Sequence, residues 1–268
     1  MGTLTPPMDS WSGGRSYENY VGRWSRLVAP EFVAWLAVPP GCRWLDVGCG
    51  TGALTETVLR DGSPARVLGV DPTADFVATA RRRVSDGRAA FALADARDLP
   101  VRDDAVDVAV SGLVLNFVPQ RTGMLGEMRR VVRPGGTVAC YVWDYAGGME
   151  LMRWFWDVAV ELDPAAHAQR ESARFGFCRP EPLRVMATAA GLADVVVSAI
   201  EVPTVFPGFD DYWTPFLVAQ APAPSYAQSL AGPARDELRD ELRRRLPTAD
   251  DGTIALTARA WAVRGRVS

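Results

Sequence analysis

Four short stretches of this chain put glycine or carboxylate where a backbone or an acid can meet a ligand: Gly48-Cys49-Gly50-Thr51-Gly52, Asp71-Pro72, Asp95-Ala96 and Ser111-Gly112-Leu113. Glycine serves such a loop because a backbone lies flat against a ligand only where no Cβ intrudes. Gly48-x-Gly50-x-x-Ala53 satisfies the dinucleotide fingerprint, a pattern that by itself admits more than one ligand. Asp46, two residues ahead of the loop, bears on the choice: a carboxylate there suits a cationic group and repels a pyrophosphate. Asp71 follows Gly50 at the spacing where an acidic side chain takes ribose hydroxyls. Asp95-Ala96 adds an acceptor for an exocyclic amine. For Asp71 and Asp95 the competing reading is a helix N-cap, since Asp71 precedes a proline-led helix and Asp95 ends a turn.

These stretches need elements to hold them, and apolar runs supply candidates. Short strands are expected at residues 43–47, 66–70, 89–93, 106–111 and 137–143, separated by helices around 53–60, 76–80 and 124–132, the last closing on Arg133-Pro134-Gly135-Gly136. Alternation of this kind predicts βαβ units and a parallel sheet. Ligands of such sheets lie beyond the carboxyl ends of the strands, so all four stretches converge on one crevice. Further on, a helix at 182–190 leads to a sixth strand at 194–202, and 252–264 alternates apolar and polar residues as a terminal strand. Tyr17, Tyr20, Trp24, Val28, Phe32 and Leu36 share one helical face in an amino-terminal arm.

The boundaries expected from this pass are an arm at 1–40, a cofactor-binding core at 41–143, a cap insertion at 144–181, a return helix and strand at 182–202, a second cap insertion at 203–250 and a final strand at 251–268. Trp154-Phe155-Trp156 sits in the first insertion, where it reads either as the cap's own small core or as a stacking platform.

Charge and composition exclude several functions. A net charge of -3 and a pI near 5.4 argue against a nucleic-acid groove, which needs a basic face. All 29 basic residues are arginine, so a Schiff-base or P-loop lysine is ruled out. Cys42, Cys49, Cys140 and Cys178 form no zinc-type spacing, and no metal is expected. The first forty residues lack a basic-then-apolar leader pattern, and no apolar run reaches membrane-spanning length; the cytoplasm is the expected compartment. Oligomeric state is not readable.

Leu45-Asp46-Val47-Gly48-Cys49-Gly50-Thr51-Gly52, then Gly69-Val70-Asp71-Pro72, Ala94-Asp95-Ala96 and Val132-Arg133-Pro134-Gly135-Gly136 resemble, in order and spacing, the motifs of class I S-adenosylmethionine-dependent methyltransferases similar to the ubiquinone/menaquinone biosynthesis enzymes. The resemblance covers roughly residues 15–145. It implies a seven-stranded, mostly parallel Rossmann-like α/β sheet with an antiparallel last strand, helices on both faces and an inserted cap. It also implies S-adenosylmethionine as cofactor, with Gly48 to Gly52 along the methionine part, Asp71 on the ribose, Asp95 at the adenine amine and Ser111 to Leu113 beside the sulfonium. The arm from Tyr17 to Ser25 looks like the family's lid, in which Tyr17, Arg23 or Trp24 would touch the cofactor.

The implied reaction moves a methyl group to an O, N or C atom of a small molecule. Two other readings stay open: an NAD-dependent dehydrogenase, and a methyltransferase-like protein that binds cofactor without transfer. Many relatives carry a histidine after the fourth strand where this chain has Asn116-Phe117. The candidate base is therefore His167, the one histidine, with Tyr141, Asp144 and Glu150 also near the mouth by sequence. Against His167 stands the plain reading of a surface residue.

Overall fold

The computed structural model describes residues 18–268, so Tyr17 lies outside the described residues. Trp44, Leu45, Asp46 and Val47 are all buried in β1 (Arg43–Val47), as a strand covered on both faces demands. β1 lies between β2 (Arg66–Asp71) and β4 (Val106–Gly112), parallel to both. β3 (Ala89–Leu93) extends the sheet beyond β2, and β5 (Val132–Trp143) lies parallel to β4 on the other side. β7 (Ile254–Arg266) runs antiparallel to β5, with Tyr141 opposite Ala262, and β6 (Ala193–Phe206) completes the order β3-β2-β1-β4-β5-β7-β6. Direction of strand addition reverses between β1 and β4, the place where such sheets open a ligand crevice.

Helices cover both faces. Leu45, Val47, Ala109, Cys140 and Val142 share one core with Met124, Leu125 and Met128 of α4 (Arg121–Val131) and with Leu183 and Ala187 of α7 (Pro180–Ala189). Tyr141 alternates with Cys140 and Val142, so it faces the other way, where its ring meets Phe32 of α1 (Arg23–Leu36) at 4.7 Å. The stripe Trp24, Val28, Phe32, Leu36 is buried as its spacing predicted, and a π-helical turn (Glu18–Gly22) precedes it. Arg264 of β7 donates to the carbonyls of Trp35 (2.8 Å) and Leu36 (3.1 Å), a cation satisfying the last acceptors of α1. α2 (Ala53–Asp61) and α3 (Ala74–Arg83) follow β1 and β2.

One stop signal acts differently from its sequence reading. α4 ends at Val131, and Val132 already pairs with Val106, so Arg133-Pro134-Gly135-Gly136 belongs to the extended entry of β5. The register shifts between Val106 and Val108, Gly135 (φ +76°) donates to the Val267 carbonyl at 2.8 Å, and a Cβ on Gly136 would fall 2.6 Å from the Asp107 carbonyl. These glycines build a bulged strand entry rather than a helix cap.

The chain divides into two compact units. The first comprises Trp24–Met149, Phe175–Val202 and Ala258–Ser268; the second takes the chain through Arg23 together with Glu150–Arg174 and Pro203–Thr257. The second unit is helical: α5 (Glu150–Leu162), α6 (Glu171–Arg174), α8 (Phe209–Val218), α9 (Pro222–Ser229) and α10 (Gly232–Arg245). Its core is aromatic. Phe155 stacks on Phe216 at 4.5 Å, Trp156 meets Tyr226 at 5.5 Å, and Tyr20 packs edge-on against Phe216. The Trp156 indole N–H donates to Glu171, whose other oxygen accepts from the Ala223 N–H at 3.3 Å. Burial pushes the Glu171 carboxyl above its ordinary pKa.

Phe155 and Trp156 are therefore core residues, and Trp154 is half-buried beside Arg153. Trp156→Ala removes a buried ring and leaves Glu171 short of a donor, so it should cost about 3–5 kcal/mol in chemical or thermal unfolding. A loss under about 1 kcal/mol would contradict the core assignment.

Candidate functional site

The sheet brings the strand ends together through hydrogen bonds that can be followed atom by atom. The N–H groups of Gly48 and Cys49 donate to the Val70 carbonyl at 2.8 and 2.9 Å, which fastens the glycine loop to the end of β2. Gly48, Gly50 and Gly52 all have positive φ, and Gly52 (φ +91°) starts α2. A Cβ on Gly48 would collide with Val114, whereas one on Gly50 meets no protein atom and would project away from the chain's own packing. Thr51 lies half-buried between the last two glycines.

Asp71 is 7% exposed at the end of β2. One oxygen accepts from the Gly50 N–H at 3.0 Å and the other from the Thr73 N–H at 2.9 Å. It thereby shapes the loop and the turn through Pro72 into α3, while each oxygen keeps a second lone pair. The capping and binding readings of this residue are compatible.

Asp46 is the least ordinary group. It is 1% exposed; Oδ2 accepts from Thr55 Oγ1 at 2.7 Å, and Oδ1 is buried without a partner. Burial pushes its pKa from 3.8 to about 7, with nearby Asp71 adding repulsion and the Thr55 hydrogen bond opposing. Cys49 is pushed up as well, by burial and by the same two carboxylates, so its thiol is unreactive and its backbone is what the site uses.

The third side comes from β4. Ser111 Oγ donates to the Val47 carbonyl at 2.7 Å, Gly112 leaves room for the Tyr141 ring, and Leu113 holds φ +61° while its N–H donates to the Tyr141 carbonyl at 2.9 Å. A leucine in the left-handed region is strained, and such strain concentrates where a backbone must be aimed.

Asp95 adjoins this group, since the Ala94 N–H donates to the Asp71 carbonyl, and Ala96 is buried. Its carboxylate is engaged by Arg97 at 2.6 and 2.9 Å and is half-exposed; these hydrogen bonds hold its pKa at about 2. The structure thus unites Asp46, Gly48 to Gly52, Asp71 and Ser111 to Leu113 in one network, with Asp95 and Ala96 at its edge. Trp24 is buried in the first unit. Arg23 and His167 belong to the second: Arg23 pairs with both oxygens of Asp211 and lies over Phe206, and His167 is exposed on a 3-10 turn (Pro164–Gln169).

Sequence reasoning did not single out Thr55, Val114 or Arg97. Thr55 is signalled only by its place in the first turn of α2, one loop after Asp46; the other two are visible only in space.

Residues 45–140 match the family model described as a methyltransferase domain. The chain is 31% identical over 179 residues to a demethylmenaquinone methyltransferase of Roseiflexus sp. (strain RS-1), covering 60% of this chain and 72% of that protein. The chain belongs to the class I S-adenosylmethionine-dependent methyltransferases, in the group similar to the ubiquinone/menaquinone enzymes. An arsenite methyltransferase of Halobacterium salinarum is 36% identical, but across only 40% of this chain and 28% of its own length. Among solved structures, a Haemonchus contortus phosphoethanolamine N-methyltransferase 2, in complex with phosphomonomethylethanolamine and S-adenosylhomocysteine, shares the fold at TM-score 0.58 and 16% identity, over 97% of this chain and 58% of that one. The YcgJ protein of Bacillus subtilis does so at TM-score 0.53 and 15% identity, over 90% and 97%.

The cofactor of this methyltransferase is S-adenosylmethionine. The site fits it. A glycine loop open at Gly50 admits a ligand backbone to backbone, and the unpartnered Asp46 oxygen favours a cationic ligand, as this one is. Asp71 retains acceptor capacity for ribose hydroxyls. No cluster of three or more His, Cys, Asp or Glu suited to a metal occurs among the described residues.

Proposed function

We propose that this methyltransferase acts on a small-molecule acceptor in the cytoplasm. Within the described residues no helix is long and apolar enough to cross a membrane. Ser111-Gly112-Leu113-Val114 lacks the Asn/Asp-Pro-Pro-aromatic signature of base amino-methylases, and the chain is acidic overall. Acceptor selection is assigned to residues 144–180 and 203–225, which carry aromatics the cofactor site does not use.

The observation that carries the reading is the buried Asp46 oxygen left without a partner beside the glycine loop. It supports an assignment in which the loop from Gly48 to Gly52 holds the methionine part, Asp71 the ribose, Asp95 and Ala96 the adenine edge, and Ser111 to Leu113 the sulfonium side, with Trp24 contributing from the arm. The cofactor, when bound, supplies an electrophilic methyl group on a sulfonium. The protein's own task is then to hold the acceptor in line and exclude water, and positioning of that kind is worth roughly 7–11 kcal/mol. S-adenosylmethionine and S-adenosylhomocysteine should each raise the melting temperature, and NAD should not. Absence of a shift with both at millimolar concentration would end the assignment.

Where the accepting atom is a hydroxyl, a base must take its proton, and His167 remains the candidate. With an acceptor in hand, His167→Ala should slow turnover by about a hundredfold or less, and excess EDTA should leave the rate unchanged. An unchanged rate in the variant removes His167 from the mechanism; full loss on chelation, with the fold intact, would replace the metal-free scheme.

A further inference from the structure

Beside the end of β4, five residues close a ring of contacts that the cofactor assignment does not use. Asn116 lies on the 3-10 turn Leu115–Phe117 and is 6% exposed. Its Nδ2 donates to the Tyr145 hydroxyl at 2.9 Å, and its Oδ1 is buried with no partner. The Tyr145 ring lies 5.1 Å from Phe175, and Phe175 stands edge-on to Phe177 at 6.4 Å. Arg121 covers the Phe177 ring at 3.9 Å and returns to the turn by donating Nε to the Leu115 carbonyl at 3.2 Å. All five residues belong to the first unit.

Two features of this ring ask for a ligand. Arg121 is half-buried, and no carboxylate among the described residues comes within ion-pair range of it. Nine other described arginines in this unit meet an acid, as Arg97 meets Asp95 and Arg133 meets Asp107. Arg121 also opens α4, whose first N–H groups receive no side-chain cap from Gln120, so positive potential accumulates there. The second feature is the orphaned Asn116 oxygen, since a buried acceptor left unmade costs about 1–3 kcal/mol. Between the two lie the Tyr145, Phe175 and Phe177 rings, partly buried against the core and apolar toward an aromatic ligand.

Val114 connects the ring to the reaction. It packs against Gly48 of the cofactor loop and lies two residues before Asn116, so this turn carries contacts to both. We propose that Arg121, Asn116, Tyr145, Phe175 and Phe177 form the acceptor subsite, and that it takes a hydroxyl- or amino-substituted aromatic acid. Arg121 meets the anionic group, the exposed ring edges border the aromatic body, and Asn116 Oδ1 accepts from the O–H or N–H of the group to be methylated. This rests on the small-molecule reading above and gives it a substrate class. Asn116 thereby fills the position at which many relatives carry histidine, as a hydrogen-bond acceptor that stays neutral.

The test uses the full chain loaded with S-adenosylhomocysteine. The probes are the three hydroxybenzoate isomers, their methyl esters and benzoate, with affinity read by calorimetry or saturation-transfer NMR. At least one isomer should bind about tenfold or more tighter than its neutral ester, and tighter than benzoate. Arg121→Met should erase the acid-over-ester preference and Arg121→Lys should keep part of it. Asn116→Leu should erase the preference for the hydroxyl and raise the melting temperature, which a purely structural asparagine would not do. Esters binding as well as acids, discrimination unchanged in Arg121→Met, or a fall in melting temperature for Asn116→Leu would each overturn the assignment. If no probe binds a protein that S-adenosylhomocysteine does stabilise, the subsite falls and the cofactor reading stands; if S-adenosylhomocysteine fails to stabilise it, both fall.

Discussion

Asp46→Asn should raise the stability of the ligand-free protein at pH 8 and bring it level with the parent near pH 4. The sign follows from linkage. Burial lifts the folded-state pKa of Asp46 from 3.8 to about 7, so between those values the folded protein holds a proton that the unfolded chain has released. Stability from this group is full below pH 3.8, declines as pH rises and is gone above about pH 7, a total of about 4 kcal/mol at most. Asparagine keeps an acceptor for Thr55 and carries no charge, so the variant escapes the decline. The same substitution should weaken S-adenosylmethionine binding and flatten its pH dependence, because a cationic ligand favours the ionised carboxylate and affinity in the parent should climb through pH 7. Melting curves of both proteins from pH 4 to 8, with and without cofactor, decide the matter. A stability gap that does not vary with pH would show that Asp46 does not titrate as its surroundings imply.

Asp71→Ala should cost more affinity for S-adenosylhomocysteine than any other single change at the strand ends. The carboxylate presents two oxygens, and two charge-assisted hydrogen bonds at about 1.5–3 kcal/mol each correspond to a hundredfold loss or more. The variant also strips the Gly50 and Thr73 N–H groups of their acceptor, so the loop loses its shape together with its ligand contact. Asp95→Ala should lose about tenfold or less, because Asp95 is half-exposed and already committed to Arg97. Titration calorimetry on the two variants tests the ranking. Equal affinity in the parent and Asp71→Ala would remove Asp71 from the cofactor site.

Much of this molecule is local enough to read along the chain. Strands β1, β2 and β4 announce themselves as apolar runs because both faces of a parallel sheet are covered, and the glycines after β1 follow from the backbone angles a tight loop requires. The terminal alternation from Ile254 to Trp261 falls in the phase the sheet uses, apolar side buried. Local reading fails where one segment's role depends on a distant one. Arg133-Pro134-Gly135-Gly136 reads as a helix stop, yet pairing of Val132 with Val106 and of Gly135 with Val267 makes it the entry to β5. Nothing near Arg23 in the sequence announces its ion-pair partner, Asp211, which lies far along the chain.

Order and identity of motifs and the βαβ alternation follow from residue type and spacing, and the cofactor and full strand count from the family resemblance those motifs carry, since a glycine loop and a carboxylate at a strand end impose their chemistry wherever the strand goes. Partnering was decided only in three dimensions. Asp46 and Asp95 are both aspartates at strand ends, but one is sealed among apolar neighbours with an oxygen unpaired and the other lies half in water against an arginine. Likewise the sequence marks Asn116 only as standing where many relatives carry histidine, and marks Arg121 not at all. They stand out because folding buried an amide oxygen without a donor and set a guanidinium over the Phe177 ring with no acid beside it, and the cost of an unpaired polar group depends on what surrounds it.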